Sequence, residues 1–480
     1  MGTTQRMGRF IADAQYEDIP TPAVNLAKLC LLDAVGCALY GTTRPLGKIM
    51  TSFVDELGGT PVSRVLGTGI ATNAINAAMA NGTLGHSEDF DDFTAGHQAV
   101  LLMPVVLALG EELHASGKQA LLSYAVGFDI TANVTFSMGE DHYGKGWHNT
   151  SSIGTLGSTA AAARMLGLDE MQTRMALGIG ASQASGLRGN FGTMTKPFHP
   201  GNACRAGVTA AKMSQKGYEA NPDIMEHRFG YAAVYGEEMM HLSNVPRHLG
   251  NPWALMGSGK EVANGISIKI WPCCGGTHGA NTAMTHLLKK HPFRPEDVES
   301  VDIVTTYEPS CMAPNLRWPK SGLQGKFSTW YTVASLVVDC GRLDLSSFTD
   351  DAARRPQVQD MLQRVNITQD PDVVGRPHRS RGGGNWCELS VKLRNGERLA
   401  APRIEANGGR GDTYGWETRD AVFDKFRMLA GAVLKPAQVD SALNAIMDLE
   451  KAQDVCSVVD TVIPTRDRAE QAGALLRAAS

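Results

Sequence analysis

Helical segments built mostly of small residues are the feature that most constrains the fold of this chain. Residues 71–84, 149–168 and 207–217 are rich in Ala, Gly, Ser, Thr and Asn and contain few large side chains. Small side chains let two helix axes approach closely, because few side-chain atoms separate the backbones. The pattern therefore predicts a helical bundle whose centre is unusually poor in bulky residues.

The remainder of the first half also has helical periodicity. Thr21-Pro22 provides an N-cap and a proline at the first helical position. Apolar residues then recur with helical spacing at Val24, Ala27, Leu31, Val35 and Leu39. Segments 104–114 and 121–134 are predicted to be helical as well. After Trp416 the helical pattern returns, so we expect the C-terminal segment to complete the same bundle.

The pattern changes near residue 266. Residues 266–270 and 300–306 alternate like strands, and a third alternating run ends at Asn395-Gly396, the strongest short signal for a hairpin. A helix is predicted at 326–338. We therefore expect a mainly α protein, in which a large all-helical domain is joined by a smaller α+β lid domain. The expected ranges are 1–265 for the first helical segment, 266–404 for the α+β domain and 405–480 for the C-terminal helical segment.

Composition excludes several classes of function. The 480 residues carry a net charge of -4 and contain no long basic run, so nucleic acid is not an expected partner. We expect no membrane-spanning helix, because we find no apolar run that approaches the roughly 20 residues such a helix needs. Nine cysteines are scattered without the paired spacing of a zinc ribbon. Reduced thiols in a cytoplasmic protein are the interpretation we favour.

A cationic segment indicates the chemistry of the ligand. Lys196 and His199 lie among glycines and small residues, with Arg188 upstream and Arg205 downstream. Ammonium and guanidinium groups hold carboxylates through charge-assisted hydrogen bonds. The segment therefore predicts a small carboxylate substrate. Neither a P-loop nor a GxGxxG motif is present, which argues against a nucleotide cofactor.

An acidic segment could supply the proton chemistry. Four carboxylates lie within five positions, at Glu88, Asp89, Asp91 and Asp92. Their mutual repulsion should raise at least one pKa if they are partly buried, and a carboxylate tuned in this way suits a general base. A solvated helix end is the plain alternative. A metal site that uses His86, His97 and these carboxylates is another, although no HExxH or CxxC spacing supports it.

Two further histidines are candidates. His148 precedes Asn149, the predicted N-cap of a buried helix, and a helix N-terminus favours the neutral form of a nearby imidazole. A capping-region side chain without a catalytic role is the alternative for His148. His278 ends a segment that joins a predicted strand to a helix. We interpret Cys273 and Cys274, in the same segment, as packing residues.

Five blocks in the same order resemble the MmgE/PrpD family, which includes 2-methylcitrate dehydratase, cis-aconitate decarboxylase and iminodisuccinate epimerase. The family motifs that they resemble are HxxDFDD, GWH, GTxTKxxHxGxAxR, KxxPxxxxxH and GLxGKFS. The corresponding blocks here are 86–92, 146–148, 192–205, 269–278 and 322–328.

The resemblance implies a helical main domain with an α+β lid, a cleft between the two, a homodimer, and catalysis without a metal or an organic cofactor. It implies that the catalytic residues are Asp89, His97, His148, Lys196 and His278. The substrate-binding residues expected with them are Arg188, Thr94, His199 and Lys269.

Two positions depart from the family pattern. Phe93 follows the acidic block where the family often has Thr or Ser, and Gln98 follows His97 where the family has proline. We expect a lyase, either a dehydratase or a decarboxylase, that acts on a small di- or tricarboxylate by α-proton chemistry. An isomerase resembling iminodisuccinate epimerase is the first alternative. A catalytically silent carboxylate-binding homologue, suggested by the two departures, is a more distant one.

Overall fold

The chain forms two compact units in a computed structural model. The structure describes residues 2–93, 96–138, 141–236, 241–256, 267–306, 314–371, 386–405 and 419–465. The first unit comprises Met1–Leu187, Pro197–Ile268 and Glu417–Ser480, and the second comprises Arg188–Lys196 and Lys269–Trp416. The expected ranges differ from these chiefly because the short segment Arg188–Lys196 clusters with the second unit.

The predicted mainly helical fold is confirmed. In the described part of the first unit the α-helices are Thr3–Asp13, Thr21–Gly41, Pro45–Leu57, Ala74–Gly85, Ala99–Leu113, Gly117–Ser137, Asp141–Gly144, Asn149–Ser152, Gly154–Met165, Glu170–Ala181, Tyr231–Tyr235, Arg419–Ala430, Pro436–Met447 and Cys456–Asp460. Helix Thr195–Gln215 begins at the end of a second-unit segment and continues into the first unit. Two short strands, Ser63–Arg64 and Ala71–Thr72, pair in an antiparallel manner.

Small residues let the helices of the first unit pack closely, as the composition of these segments predicts. A Cβ atom added to Gly157 would lie 1.8 Å from Thr131 Oγ1 on a neighbouring helix. A Cβ atom on Gly201 would lie 2.1 Å from Thr83 Oγ1. Helix Ala74–Gly85, which leads into the acidic block, is therefore held directly against helix Thr195–Gln215.

Helix Thr21–Gly41 corrects one expectation from the sequence. Among the described residues it is the one helix that is long and apolar enough to cross a membrane, whereas no run of that length was expected. Of its apolar window, 78% is buried inside the protein, as in a core helix. The predicted helix is confirmed and Pro22 lies in its first turn, but Thr21 is already helical and Pro20 is the N-cap, so the predicted N-cap is wrong by one residue.

The second unit contains a mixed sheet covered by helices. Its strands are Val298–Thr305, Val365–Gln369, Trp386–Leu393, Arg398–Ala400 and Ile404–Glu405. Its α-helices are His278–Lys290, Gly322–Gly325, Thr329–Val338, Asp350–Ala353 and Pro356–Arg364. The first of these strands pairs in parallel with the second and antiparallel with the third, so that Val301 lies opposite both Val365 and Val391. The predicted hairpin at Asn395-Gly396 is confirmed, since the strands on either side of it pair antiparallel.

Two predicted elements are wrong in detail. Residues 267–270 form no strand beyond a single bridge between Ser267 and Phe93, and Ile266 lies outside the described residues. Ser267, Ile268 and Lys269 are all buried, so their alternation does not mark one exposed and one buried face. The helix expected from residue 326 begins instead at Thr329, because the Ser328 side chain caps it by accepting a hydrogen bond from Tyr331 N.

Candidate active site

The acidic block is presented by the end of a buried helix. Helix Ala74–Gly85 stops at His86, and the next residues turn sharply, with Asp89 in the left-handed region at φ 51°. Aspartate tolerates this conformation better than most residues, yet it remains sparsely populated and is found often at functional sites. Glu88, Asp89, Asp91 and Asp92 are all at most 4% exposed. The alternative of a solvated helix end is therefore wrong.

The Asp91 carboxylate lies between two imidazoles. Its Oδ1 is 2.8 Å from His86 Nδ1, and its Oδ2 is 2.9 Å from His97 Nδ1. Burial by itself raises the pKa of Asp91, but the charges and hydrogen bonds of the two histidines outweigh it and hold this pKa well below its ordinary value. Asp91 is therefore an anion that can stabilise a proton on either ring.

The surroundings of His97 determine which of its nitrogens faces Asp89. His97 Nδ1 lies 2.9 Å from the carbonyl oxygen of Asp92 as well as from the Asp91 carboxylate, so this nitrogen carries a proton and donates it. In the neutral ring Nε2 is then the basic nitrogen. His97 Nε2 lies 3.7 Å from Asp89 Oδ1. The arrangement points a proton acceptor or donor at the strained aspartate.

A second imidazole pair lies beside the first. His148 Nδ1 and His199 Nδ1 are 3.0 Å apart, so one ring donates to the other. The ring centroids of His97 and His148 are 6.4 Å apart, and those of His86 and His148 are 6.2 Å apart. The structure thus brings Asp89, His97, His148 and His199 together within the first unit.

Backbone contacts fix the second pair. His148 N donates to the carbonyl oxygen of Gly186, and Ser151 Oγ donates to the carbonyl oxygen of His199. His148 itself is the N-cap of helix Asn149–Ser152, so the prediction of Asn149 as the N-cap is wrong by one residue. His97 N donates to Thr150 Oγ1 at 3.2 Å, which ties the two blocks to one another.

Repulsion within the acidic block raises one pKa, as the sequence predicts. Burial and the neighbouring Asp91 charge raise the pKa of Asp92 well above its ordinary value, against a hydrogen bond from Ala99 N that lowers it. The neutral form of Asp92 is therefore favoured beside an ionised Asp91. This raised pKa belongs to Asp92, whose Oδ1 accepts the hydrogen bond from Ala99 N.

A buried lysine from the C-terminal segment, Lys425, contacts the acidic block through Phe90 and pairs with Asp33. Lys425 Nζ lies 2.6 Å from Asp33 Oδ1, donates to the carbonyl oxygen of Phe90 and sits 3.9 Å from the centroid of the Phe90 ring. Sequence reasoning missed this contact. The available signal was a charge on the apolar face of helix Arg419–Ala430, because Lys425 lies three residues after Val422 and four before Leu429.

The residues that depart from the family pattern have backbone roles. Phe93 pairs with Ser267 through two main-chain hydrogen bonds. Gln98 is fully buried as the N-cap of helix Ala99–Leu113. Thr94, expected to bind substrate, lies outside the described residues.

The remaining predicted site residues, Lys196, Lys269, His278 and Arg188, belong to the second unit. Their surroundings there differ from one residue to the next. Lys196 Nζ lies 5.2 Å and 5.0 Å from the ring centroids of Phe191 and Phe327, and only 2% of the residue is exposed. Lys269 is fully buried. His278 Nε2 is 3.3 Å from the carbonyl oxygen of Cys273. Arg188 begins a short 3₁₀ helix, Arg188–Asn190.

The donor set of the cluster also bears on the metal alternative. One donor atom from each of His86, Asp89, Asp91 and His97 lies within 4.8 Å of the others, so the group could hold a cation. Both histidines direct Nδ1 toward Asp91, so a metal bound at that nitrogen would take the place of the shared proton. That the protein works without a metal stays a prediction.

Sequence comparison shows which known proteins this chain is similar to. Family models described as the MmgE/PrpD N-terminal domain and the MmgE/PrpD C-terminal domain match residues 5–241 and 271–451. A human cis-aconitate decarboxylase is 28% identical, over 92% of this chain and 90% of its own length. One from Aspergillus terreus is 25% identical, over 96% and 95%. A 2-methylcitrate dehydratase from Escherichia coli K12 is 22% identical, over 81% and 82%.

Proposed function

Because the chain belongs to the MmgE/PrpD family, we propose that it is a lyase that acts on a small di- or tricarboxylate through a carbanion intermediate. The observation that carries this proposal is the buried cluster in which Asp91 orients His97, and His97 in turn faces Asp89 at 3.7 Å. Such a cluster can take up and return a proton in a site from which water is largely excluded. The relatives named above are two decarboxylases and a dehydratase, and this agrees with lyase chemistry.

Decarboxylation of an unsaturated tricarboxylate such as cis-aconitate is the reaction we place first. The two decarboxylases align over more of this chain than the dehydratase does. In this reaction the bond to one carboxylate breaks, carbon dioxide leaves, and its bonding electron pair remains on the substrate as an enolate-like carbanion. A proton must then be added to carbon.

His97 is the residue we propose for that proton transfer. As an imidazolium it would be stabilised by the Asp91 carboxylate 2.9 Å from Nδ1, and its Nε2 proton could pass to the carbanion. In a dehydration, Asp89 or His148 would instead remove the α-proton, and His97 would protonate the departing hydroxyl group. In an epimerisation, a proton would return to the opposite face of the same carbanion. The three reactions therefore share one set of residues.

Buried cations of the second unit are proposed to bind the substrate carboxylates. Lys196 and Lys269 are at most 2% exposed, and such desolvated ammonium groups interact strongly with anions. Arg188 is proposed to assist them, and His278 is proposed as a further proton-transfer group. These roles rest on the motif resemblance and on burial.

The cellular setting is proposed as well. We propose a homodimer in the cytoplasm, working without a cofactor. No disulfide joins the eight cysteines within the described residues, which agrees with a reducing compartment. Light scattering of the purified chain would test the dimer.

Turnover in deuterated buffer tests the reaction class. The protein would be incubated separately with cis-aconitate, citrate, 2-methylcitrate and iminodisuccinate, and the products followed by NMR. We expect cis-aconitate to lose carbon dioxide and the product to gain one deuterium on carbon. Loss of water would identify the dehydratase, and deuterium in recovered substrate without loss of mass would identify the isomerase.

Two controls separate catalysis from binding. His97→Gln should lose turnover yet retain carboxylate binding in calorimetry, because Gln keeps a polar side chain that cannot act as an acid. If the wild-type chain binds carboxylates but turns over none of the four, the silent homologue is correct and the lyase proposal fails.

A further inference from the structure

A second group of metal-ligand side chains lies in the first unit and is not used by the proposed reaction. His114 follows helix Ala99–Leu113, whereas Asp454 and Cys456 come from the C-terminal segment. His114 Nδ1 is 2.9 Å from Asp454 Oδ2 and 3.7 Å from Cys456 Sγ. All three donor atoms lie within 4.8 Å of one another. Three different ligand types are thus brought together from segments that are more than 300 residues apart in sequence.

The distance between the nitrogen and sulfur donors matches tetrahedral coordination. With Zn–N bonds of about 2.0–2.1 Å and a Zn–S bond of about 2.3 Å, tetrahedral angles place nitrogen and sulfur about 3.6 Å apart. The corresponding distance here is 3.7 Å, between His114 Nδ1 and Cys456 Sγ. Nitrogen and a carboxylate oxygen would be about 3.3 Å apart around the same ion. The 2.9 Å contact to Asp454 is that of a hydrogen bond, which would lengthen slightly when an ion replaced the shared proton.

The backbone holds the three ligands in place. His114 is a left-handed C-cap at φ 51°, and the following residue, Ala115, donates its N–H back to Gly110. Val455 N donates to the carbonyl oxygen of Ala115 at 2.9 Å, which joins the two segments directly beside the ligands. Cys456 N donates to Asp454 Oδ1 at 2.8 Å and so leaves Oδ2 directed at His114. Such outer contacts are those that orient metal ligands in proteins.

The surrounding charge favours a cation. Glu111 and Asp460 pair with Arg64, whose guanidinium also donates to the carbonyl oxygen of Cys456, and Asp454 beside His114 adds a third carboxylate. On binding, the thiol proton would leave to solvent as the metal–sulfur bond forms.

We propose that His114, Asp454 and Cys456 form a binding site for Zn²⁺ or a similar borderline divalent cation, with water at the fourth position. Imidazole, carboxylate and thiolate together match the preferences of such ions. The bound ion would cross-link the end of helix Ala99–Leu113 to the start of helix Cys456–Asp460. Its role would be to stabilise the first unit.

Cobalt provides the direct test, because Co²⁺ commonly replaces Zn²⁺ and its bond to a thiolate absorbs in the near ultraviolet. The full-length chain, freed of metal with a chelator, would be titrated with CoCl₂ and then with ZnCl₂. We expect one equivalent of cobalt to produce the thiolate band and zinc to abolish it. The histidine–carboxylate cluster of the candidate active site contains no sulfur and would give no such band, even if it bound cobalt.

Substitutions identify the ligands. Cys456→Ser should remove the band, while His114→Ala and Asp454→Asn should each weaken cobalt binding by at least about tenfold. Cys340→Ser is the matched control, because Cys340 is an exposed free cysteine elsewhere in the chain, and this variant should keep the band. Circular dichroism would verify folding, and turnover of metal-free Cys456→Ser should equal that of the wild type.

Three results would overturn the proposal. They are the absence of a thiolate band in the wild-type chain, a band that persists in Cys456→Ser, and full affinity in His114→Ala. The last would show that the thiol binds metal without the predicted partners. None of these results bears on the lyase proposal, which is tested by turnover of metal-free protein.

Discussion

Replacement of Lys425 by methionine should strongly destabilise the first unit. Lys425 and Asp33 form an ion pair at 2.6 Å, with side chains only 7% and 0% exposed. Methionine preserves much of the packing of the lysine stem but leaves a carboxylate buried without its cation. Loss of one partner from such a pair costs about 3–5 kcal/mol. We therefore expect the free energy of unfolding to fall by about that amount at pH 8.

The loss should depend on pH, because the stranded Asp33 carboxyl can escape the penalty by taking up a proton. Its pKa in the folded variant is then raised, so the destabilisation is absent below the ordinary pKa of aspartate and grows as the pH rises. The slope should approach about 1.4 kcal/mol per pH unit until the folded-state pKa is reached. Urea unfolding of wild type and variant at several pH values between 5 and 8 would measure it.

Two further variants isolate the effect of burial. The double variant Lys425→Met with Asp33→Leu should recover most of the loss, because an apolar pair can replace a buried ion pair at little cost. Lys28→Met is the matched control: Lys28 pairs with Glu450 at 2.9 Å, but Glu450 remains 28% exposed and can be hydrated. A Lys425→Met variant within about 1 kcal/mol of the wild type at pH 8, or no more affected than Lys28→Met, would refute the reasoning.

Four other outcomes are expected. Lys196→Ala should abolish turnover while circular dichroism remains unchanged, and near-normal activity would exclude its proposed role. Asp91→Asn should lower kcat about 10²–10⁴-fold with little change in KM, because the orienting charge beside two imidazoles is lost; an equal effect on KM alone would count against this. Burial raises the pKa of Asp129 to about 7, against hydrogen bonds that lower it, so its contribution to stability is present below pH 4 and lost as the pH rises through 7. Asp129→Asn should therefore flatten the fall in stability between pH 5 and 8 by up to about 3 kcal/mol, measured by urea unfolding. Gly157→Ala should cost about 1–3 kcal/mol in the same assay, since its Cβ would lie 1.8 Å from a neighbouring helix, whereas Gly144→Ala, with nothing within 4 Å, should be neutral.

Elements with strong local signals were accessible from the sequence. Helix Thr21–Gly41 and the hairpin at Asn395-Gly396 follow from apolar spacing and turn chemistry, which act over a few residues. Residues 267–270 were wrongly predicted to be a strand for the same reason. Their sequence alternates, but tertiary packing buries Ser267, Ile268 and Lys269 alike. Local pattern cannot distinguish a strand from a buried irregular segment.

The candidate site was only partly accessible. Motif blocks identify Asp89 and His148, yet the sequence does not reveal that Asp91 bridges two rings or that His148 shares a hydrogen bond with His199. Those relationships depend on how distant segments pack. The resemblance identified candidate residues. The hydrogen-bond geometry indicated which nitrogen of a ring carries the proton and which group the other nitrogen faces.

The order of synthesis gives the contact of Lys425 a further consequence. The acidic block leaves the ribosome more than 300 residues before Lys425, which contacts it. Asp33 in the nascent chain therefore lacks this lysine during most of translation. Domains generally fold as units during synthesis, and this unit is closed only by its last segment. A stalled or truncated chain lacking helix Arg419–Ala430 would therefore expose both a partly assembled bundle and an unsupported acidic loop, and should become a substrate for chaperones or proteases.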